Sequence, residues 1–314
     1  MKLNVAVQMD PMETISIAGD STFAIMLAGQ ARGHRLFHYL ASDLSYSEGR
    51  VTARTRPVEV RPVQGNHHGF GEWATLDLET DVDVVLMRQD PPFDLGYITA
   101  THLLERIQGK TLVVNDPASV RNAPEKLFVL DYARFMPPTM ITRSLDEVRA
   151  FQARHGEIVV KPLYGNAGSA VFFVGRDDAN LAALTELFGE VWREPFMAQA
   201  FVPDVRAGDK RIVLVDGNVA GAINRLPKTG EIRSNLAAGG SAEAAQLTQR
   251  EREICHALGP ELARRGLLFV GIDVIGGYLT EINVTSPTGI VAIDRFNGTD
   301  TPALIWDAIE GKLG

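Results

Sequence analysis

The sequence predicts an α/β protein in which an open α/β domain precedes two α+β subdomains, and three observations carry that expectation. Short apolar runs alternate with helical patterns through residues 1–122, the β-α-β rhythm of an open sheet. Residues 82–87 form a near-continuous apolar run of the kind buried in a parallel sheet. The last third carries long strands at 211–215, 269–275 and 278–284, with helical patterns at 251–265 and 302–311 beside them.

In chain order, 4–9 reads as a strand and 22–32 as a helix capped by Asp20 or Ser21, whose side chains accept from orphan amides of the first turn. A second strand follows at 34–39, and 49–63 alternates like a hairpin insertion. The strand at 82–87 leads to a helix at 98–107 and a short strand at 111–114. The middle section has a helix at 145–155, a strand at 158–162 ended by proline, a loop of small residues and a strand at 171–174. Residues 226–241, rich in Gly, Ala, Ser, Asn and Thr, read as a mobile loop.

The 314 residues suit two or three packed subdomains. A net charge of −8 argues against a general binder of nucleic acid or anionic membranes, which needs a basic surface. Cys255 is the only cysteine, so an intrachain disulfide and a thiolate metal cluster are excluded, and its amphipathic surroundings predict an inert, packed thiol. The apolar run at the N-terminus meets Asp10 and Pro11 too soon for a signal peptide, and no stretch approaches the ~20 apolar residues of a membrane span. The expected location is cytosolic.

Two common nucleotide motifs are ruled out. The G-x-x-x-x-G-K-[ST] pattern is missing, and Gly69-Phe70-Gly71-Glu72-Trp73-Ala74 lacks the strand–turn–helix context of a dinucleotide fingerprint. His67 and His68, adjacent in sequence, are expected to point apart as surface histidines.

Two segments carry chemistry. In Lys161-Pro162-Leu163-Tyr164-Gly165-Asn166-Ala167-Gly168-Ser169-Ala170 a lysine closes a strand and small residues follow. Small residues let backbone amides approach phosphate oxygens and the lysine supplies a charge, although a tight hairpin with a solvated lysine fits equally well. In the second segment, residues 271–284, Glu281 and Asn283 share one face of a strand, so Ile272, Val274, Ile282 and Val284 must share the buried face. A plain two-residue turn would pair Asp273 with Thr280 and mix the faces, so an odd turn or a bulge is expected at Gly276-Gly277. Asp273, Glu281 and Asn283 then converge as hard oxygen ligands suited to Mg²⁺ held jointly with phosphates. A solvated edge hairpin is the simpler alternative, weakened because Asp273 lies among apolar neighbours and needs a partner there.

These segments, in order and with Asp209-Lys210-Arg211 between them, resemble the ATP-grasp superfamily. The stretches Asn122-Ala123-Pro124-Glu125-Lys126-Leu127, Met87-Arg88-Gln89-Asp90-Pro91-Pro92-Phe93-Asp94, Arg233-Ser234-Asn235-Leu236-Ala237-Ala238-Gly239-Gly240 and Thr280-Glu281-Ile282-Asn283-Val284-Thr285-Ser286-Pro287-Thr288 are similar to bacterial glutathione synthetases, as are Met9-Asp10-Pro11 and Asp20-Ser21-Thr22-Phe23. The resemblance covers nearly the whole chain. It departs at Tyr164, where relatives carry an acidic residue, at Asn166-Ala167, where they tend toward methionine and glycine, and at Gly289, where some carry a larger residue.

The resemblance implies an ATP-grasp fold, with ATP clamped between a central subdomain (123–202) and a C-terminal one (203–314), after an N-terminal domain (1–122). Lys126 and Lys161 would neutralise phosphates, with Gly165, Asn166, Gly168 and Ser169 closing over them. Gln199, Ala200, Phe201 and Val202 would line the adenine pocket, and Asp209 would contact the ribose or adenine side. Asp273, Glu281 and Asn283 would hold two Mg²⁺ ions, with Mn²⁺ as a possible substitute. Arg211 and Arg225 would stabilise the transferring phosphoryl group and the tetrahedral intermediate. Arg233, Asn235, Ser286 and Thr288 would bind peptide and glycine under a lid at 226–241. The implied reaction joins γ-glutamylcysteine to glycine through an acyl phosphate, in a homotetramer. Another carboxylate–amine ligase of the superfamily, or an ATP-binding module without catalysis, are the alternatives.

Overall fold

The computed structural model describes residues 1–165, 168–231, 233–234 and 239–314, arranged around three sheets. Parallel pairing joins Asn4–Gln8 to Arg35–Tyr39 on one side and to Val84–Met87 on the other, and Leu112–Val114 closes that edge. All four residues of Val84–Met87 are buried, as an apolar run in a parallel sheet requires. The hairpin insertion is built on one long strand, Arg50–Val60, which runs antiparallel to Arg35–Tyr39 and carries three short strands along its length.

Helix Ser21–Ala31 is capped by Asp20, whose Oδ1 accepts from the Phe23 amide at 2.7 Å. Asp94 caps Leu95–Glu105 in the same way, so this helix starts three residues earlier than its apolar pattern suggests. Trp306, on the terminal helix Thr301–Leu313, lies against Gly29 and donates from Nε1 to the Ile25 carbonyl at 2.8 Å.

The second sheet is antiparallel, in the order Phe172–Val174, Ile158–Pro162, Phe196–Ala200, Thr139–Thr142. Helices Leu145–His155 and Leu181–Val191 pack on it, and their apolar faces form a separate core with Phe151, Val160, Phe188 and Phe196. The third sheet, also antiparallel, runs Ser241–Ala244, Asn218–Leu226, Asp209–Val215, Phe269–Ile275, Tyr278–Asn283. Its apolar residues share continuous cores with the first sheet: Ile272 and Ile282 with Tyr39 and Val113, Val213 and Phe269 with Val7 and Phe23. Asn115 fastens this junction. Its Nδ2 donates to Phe269 O (2.7 Å) and Val284 O (2.8 Å), while its Oδ1 accepts from Phe269 N at 2.7 Å.

Two expectations need correction. The Gly276-Gly277 turn is a plain two-residue turn, with Ile275 opposite Tyr278 and both glycines at positive φ (55° and 78°). The extra residue sits instead within the strand, at Thr280, where the register shifts between Asp273 and Val274 and Thr280 Oγ1 donates to Asp273 O at 3.1 Å. The bulge still places Asp273 opposite Glu281 and turns Ile272, Val274 and Ile282 into the core. His67, expected at the surface, is buried. Its Nε2 lies 2.7 Å from Met12 O, and its ring is 4.7 Å from that of His68. The loop before residues 68–70 curls it inward, which alternation along a strand does not anticipate. Cys255 is buried on helix Gln249–Arg264 and burial pushes its thiol up to about 12, so it is packed and unreactive.

Candidate active site

The second and third sheets face each other across a cleft of about 740 Å³. Val159, Val171, Phe201, Val202, Val205 and Ile275 give it apolar walls; Lys161, Asp209, Arg233, Asp273 and Glu281 give it charge. Such a division suits a ligand with a flat apolar part and a polyanionic part.

The charged part is built by strand register. Arg211 stands opposite Asp273 on the neighbouring strand, and Asp209 stands opposite Arg225. Arg211 grips Asp273 with both arms of its fork, Nε to Oδ1 at 2.6 Å and Nη2 to Oδ2 at 3.0 Å. Arg225 Nη2 reaches the same Oδ1 at 2.9 Å and also bonds Asp209, which accepts from Ser234 Oγ at 2.9 Å. Burial alone would raise the Asp273 carboxyl, but Arg211 and Arg225 outweigh it and hold it well below the usual range. Asp209 goes the other way: burial, set against Arg225, leaves it raised to about 6.

Glu281, across from Asp273, sits between two amines, 3.5 Å from Lys126 Nζ and 3.6 Å from Lys161 Nζ. Burial would raise its carboxyl too, and the two lysines bring it below its ordinary value. Lys161 is lowered by burial; Lys126 loses by burial but is raised by Glu281 and Glu125. Lys126 also donates to Gly165 O at 2.6 Å, tying the start of the small-residue loop to this cluster. A Cβ on Gly165 would lie 2.6 Å from Pro162 Cγ, and Gly168 has φ +73°, so both positions need glycine. Ser169 is exposed beyond them.

Asn283 Nδ2 lies 3.5 Å from Asp273 Oδ2. Gln199 is buried and donates from Nε2 to Thr139 Oγ1 at 2.8 Å, while the amides of Ala200 and Phe201 donate to Pro138 O and Glu157 O. The loop after the acidic strand is tied on two sides: Ser286 Oγ donates to Arg88 O (3.2 Å) and Thr288 O accepts from Arg211 Nη1 (3.2 Å). Arg233 pairs with Glu231 at 3.2 Å on the rim. Asn166 and Asn235 lie outside the described residues.

Sequence reasoning singled out neither Glu125 nor Arg88 for a role. Glu125 accepts from Lys126 and is raised to about 7, first by burial and then by Glu281. Arg88 is buried, bonding Thr22 Oγ1 (3.0 Å) and Pro287 O (2.9 Å). The only signal for either was membership of the resembled motifs.

Among the described residues no group of three or more His, Cys, Asp or Glu side chains forms a metal cage. Asp273, Glu281 and Asn283 supply hard oxygens on one face, and Asp209 Oδ1 is buried without a partner. That donor set fits a cation that takes its remaining ligands from phosphate oxygens.

Comparison with known families decides the lineage. Residues 3–121 match the model of the prokaryotic glutathione synthetase N-terminal domain, and residues 125–298 match that of the prokaryotic glutathione synthetase ATP-grasp domain. The chain belongs to the prokaryotic glutathione synthetase family. It is 56% identical over 312 residues to the glutathione synthetase of Mesorhizobium japonicum, covering 99% of both chains. It is 57% identical over 309 residues to that of Agrobacterium fabrum, covering 98% of this chain and 97% of the relative. Among solved structures, D-cycloserine synthetase DcsG superposes with a TM-score of 0.71 at 17% identity, covering 99% of this chain and 100% of that one. The ATP-grasp ligase PsnB, complexed with minimal precursor, gives 0.64 at 17% identity and 99% coverage of both. These structures share the ATP-grasp fold expected from the sequence. No helix among the described residues is long and apolar enough to cross a membrane.

Proposed function

We propose that this chain is the ligase that joins γ-glutamylcysteine to glycine, splitting ATP to ADP and phosphate through an acyl phosphate, and that its clustered side chains divide the work as follows. The observation that carries the reading is the cross-strand pair Asp273–Glu281 at the charged part of the cleft, flanked by two arginines and two lysines. It is supported by full-length identity to the family.

Lys126 and Lys161 neutralise the phosphates, with Gly165, Asn166, Gly168 and Ser169 offering small-residue backbone to them. Gln199 to Val202 hold the adenine against the apolar walls, and Asp209 orients the ribose side. Asp273, Glu281 and Asn283 would hold Mg²⁺, as two ions or with Mn²⁺ in their place. When bound, the cation offsets charge on the phosphate oxygens. Arg211 and Arg225 then face the oxygens on which charge develops as the γ-phosphoryl group leaves and as the amine adds. Arg233, Asn235, Ser286 and Thr288 position the peptide and glycine. Residues 226–241 act as a lid, because an acyl phosphate hydrolyses unless water is kept out. The strands that hold the loop pair at Leu226 and Ser241, and Arg233 and Ser234 border the cleft. We assign 1–122, 123–202 and 203–314 as the three domains, a homotetramer as the assembly and the cytosol as its location.

A coupled assay of ADP release tests the reading. γ-Glutamylcysteine with glycine should support turnover, with product mass matching glutathione. D-Alanine or glutamate as the amine or acid should not. Turnover only with the latter would assign a different ligase.

A further inference from the structure

Beside the cluster that holds Glu281, on the side facing the first domain, lies a second, much tighter cavity. Phe93, Pro124, Leu163, Tyr164 and Val284 line it, with Glu125 as its charged member. It meets the site through two members of its lining: Glu125 accepts from Lys126 Nζ, and Gly165 O accepts from the same ammonium at 2.6 Å. Its aromatic wall is held in place. The rings of Phe93 and Tyr164 stack at 6.1 Å and 10°, and Phe93 also meets Tyr97 at 5.3 Å. Phe93 comes from the first domain and Tyr164 from the small-residue loop of the central sheet, so the wall forms only when the two are brought together.

We infer that this cavity receives the side chain of the residue whose carboxylate is activated, and that Phe93 and Tyr164 set which side chain fits. The inference rests on the proposed reaction and deepens it. That side chain is carried on the carbon next to the reacting carboxyl carbon, so it must lie beside the cations that meet the phosphoryl group. Of the substrate pieces, glycine brings no side chain, and the γ-glutamyl end brings an ammonium and a carboxylate that need charged partners. Only the –CH₂–SH group is small and nearly apolar, and a thiol is a weak hydrogen-bonding group. A nearly apolar cavity is matched to it. A hydrophobic pocket separates side chains by shape and volume, and one methylene more or less changes kcat/KM by roughly 10- to 200-fold.

The test compares kcat/KM for γ-glutamylcysteine, γ-glutamyl-α-aminobutyrate and γ-glutamylleucine, each with glycine and ATP, in the wild type and in Phe93→Ala, Phe93→Leu and Tyr164→Ala. In the wild type the cysteine and aminobutyrate peptides should lie within about tenfold of one another, and the leucine peptide far below both. Phe93→Ala and Tyr164→Ala should each move the leucine-to-cysteine ratio upward by about tenfold or more, with KM for ATP held within about twofold. Phe93→Leu, which keeps most of the volume, should move it less. A ratio unchanged within about twofold in both alanine variants overturns the inference, whatever happens to the overall rate. Absence of glutathione formation by the wild type would instead overturn the proposed reaction.

Discussion

Arg211 and Arg225, on adjacent strands of the third sheet, both bond Oδ1 of Asp273, at 2.6 Å and 2.9 Å. One buried carboxylate thus bonds two buried guanidiniums through a shared oxygen. Asp273→Asn keeps the shape but removes the charge, leaving Arg211 without its carboxylate partner and Arg225 with Asp209 alone. We expect a loss of about 3 kcal/mol of stability and at least about 10²-fold in kcat. Urea denaturation and the ADP assay read the two effects separately.

Glu281 lies between Lys126 and Lys161, so Glu281→Gln leaves the two amines facing each other without their shared counter-charge. Glutathione synthesis should fall at least about 10²-fold while the fold survives, since glutamine fits the same space. Undiminished synthesis would remove Glu281 from the reaction.

Asn115 makes three buried hydrogen bonds to the backbone at Phe269 and Val284. Asn115→Ala strands one amide and two carbonyls in the junction of the first and third sheets. The expected cost is about 2–4 kcal/mol, visible as a lower urea midpoint. The KM for ATP of the folded fraction should change little, because Asn115 does not line the cleft.

His38 is buried, with Nε2 3.1 Å from the Asp10 carbonyl and its ring against Phe70. Burial lowers its pKa most, ahead of the opposing pull of Asp10, Glu13 and Asp43. The folded ring therefore stays neutral at a pH where the unfolded ring takes a proton. Its contribution to stability is complete above about pH 6.5 and is lost as the pH falls toward the folded value, by at most ~1.4 kcal/mol per pH unit. His38→Gln should lose stability less steeply than the wild type between pH 6.5 and 5 in parallel urea titrations.

Lys228 is exposed and Arg233 partly so, which offers trypsin two sites in the loop assigned as the lid. Cleavage there should slow when ATP and the dipeptide are both present. Equal rates with and without them would count against the lid.

Much of this was legible in the sequence because apolar alternation fixes faces. Asp273 and Glu281 had to share a side once Ile272, Val274 and Ile282 were assigned to the core, and the register confirms that geometry. The position of the bulge was not legible. Alternation shows that one residue is extra but not where, and the paired glycines at positive φ favour the short turn that moves it to Thr280. Arg211, Arg225 and Asp273 were each singled out, but their pairing with one another was not legible, for a different reason. It is set by lateral register among three strands, and the strand Asn218–Leu226 that delivers Arg225 carries no strong pattern of its own. The burial of His67 and the Phe93–Tyr164 stack are contacts between loops, which local periodicity cannot reveal.

The four-stranded sheet keeps its apolar residues to itself, whereas the other two sheets share theirs. A substitution inside that small core, at Phe151 or Phe188, therefore has no direct route to the packing of the remaining chain. Such lesions should melt as a local event ahead of the main transition. A calorimetric trace of this protein would then show two unfolding steps where a continuous interior would give one.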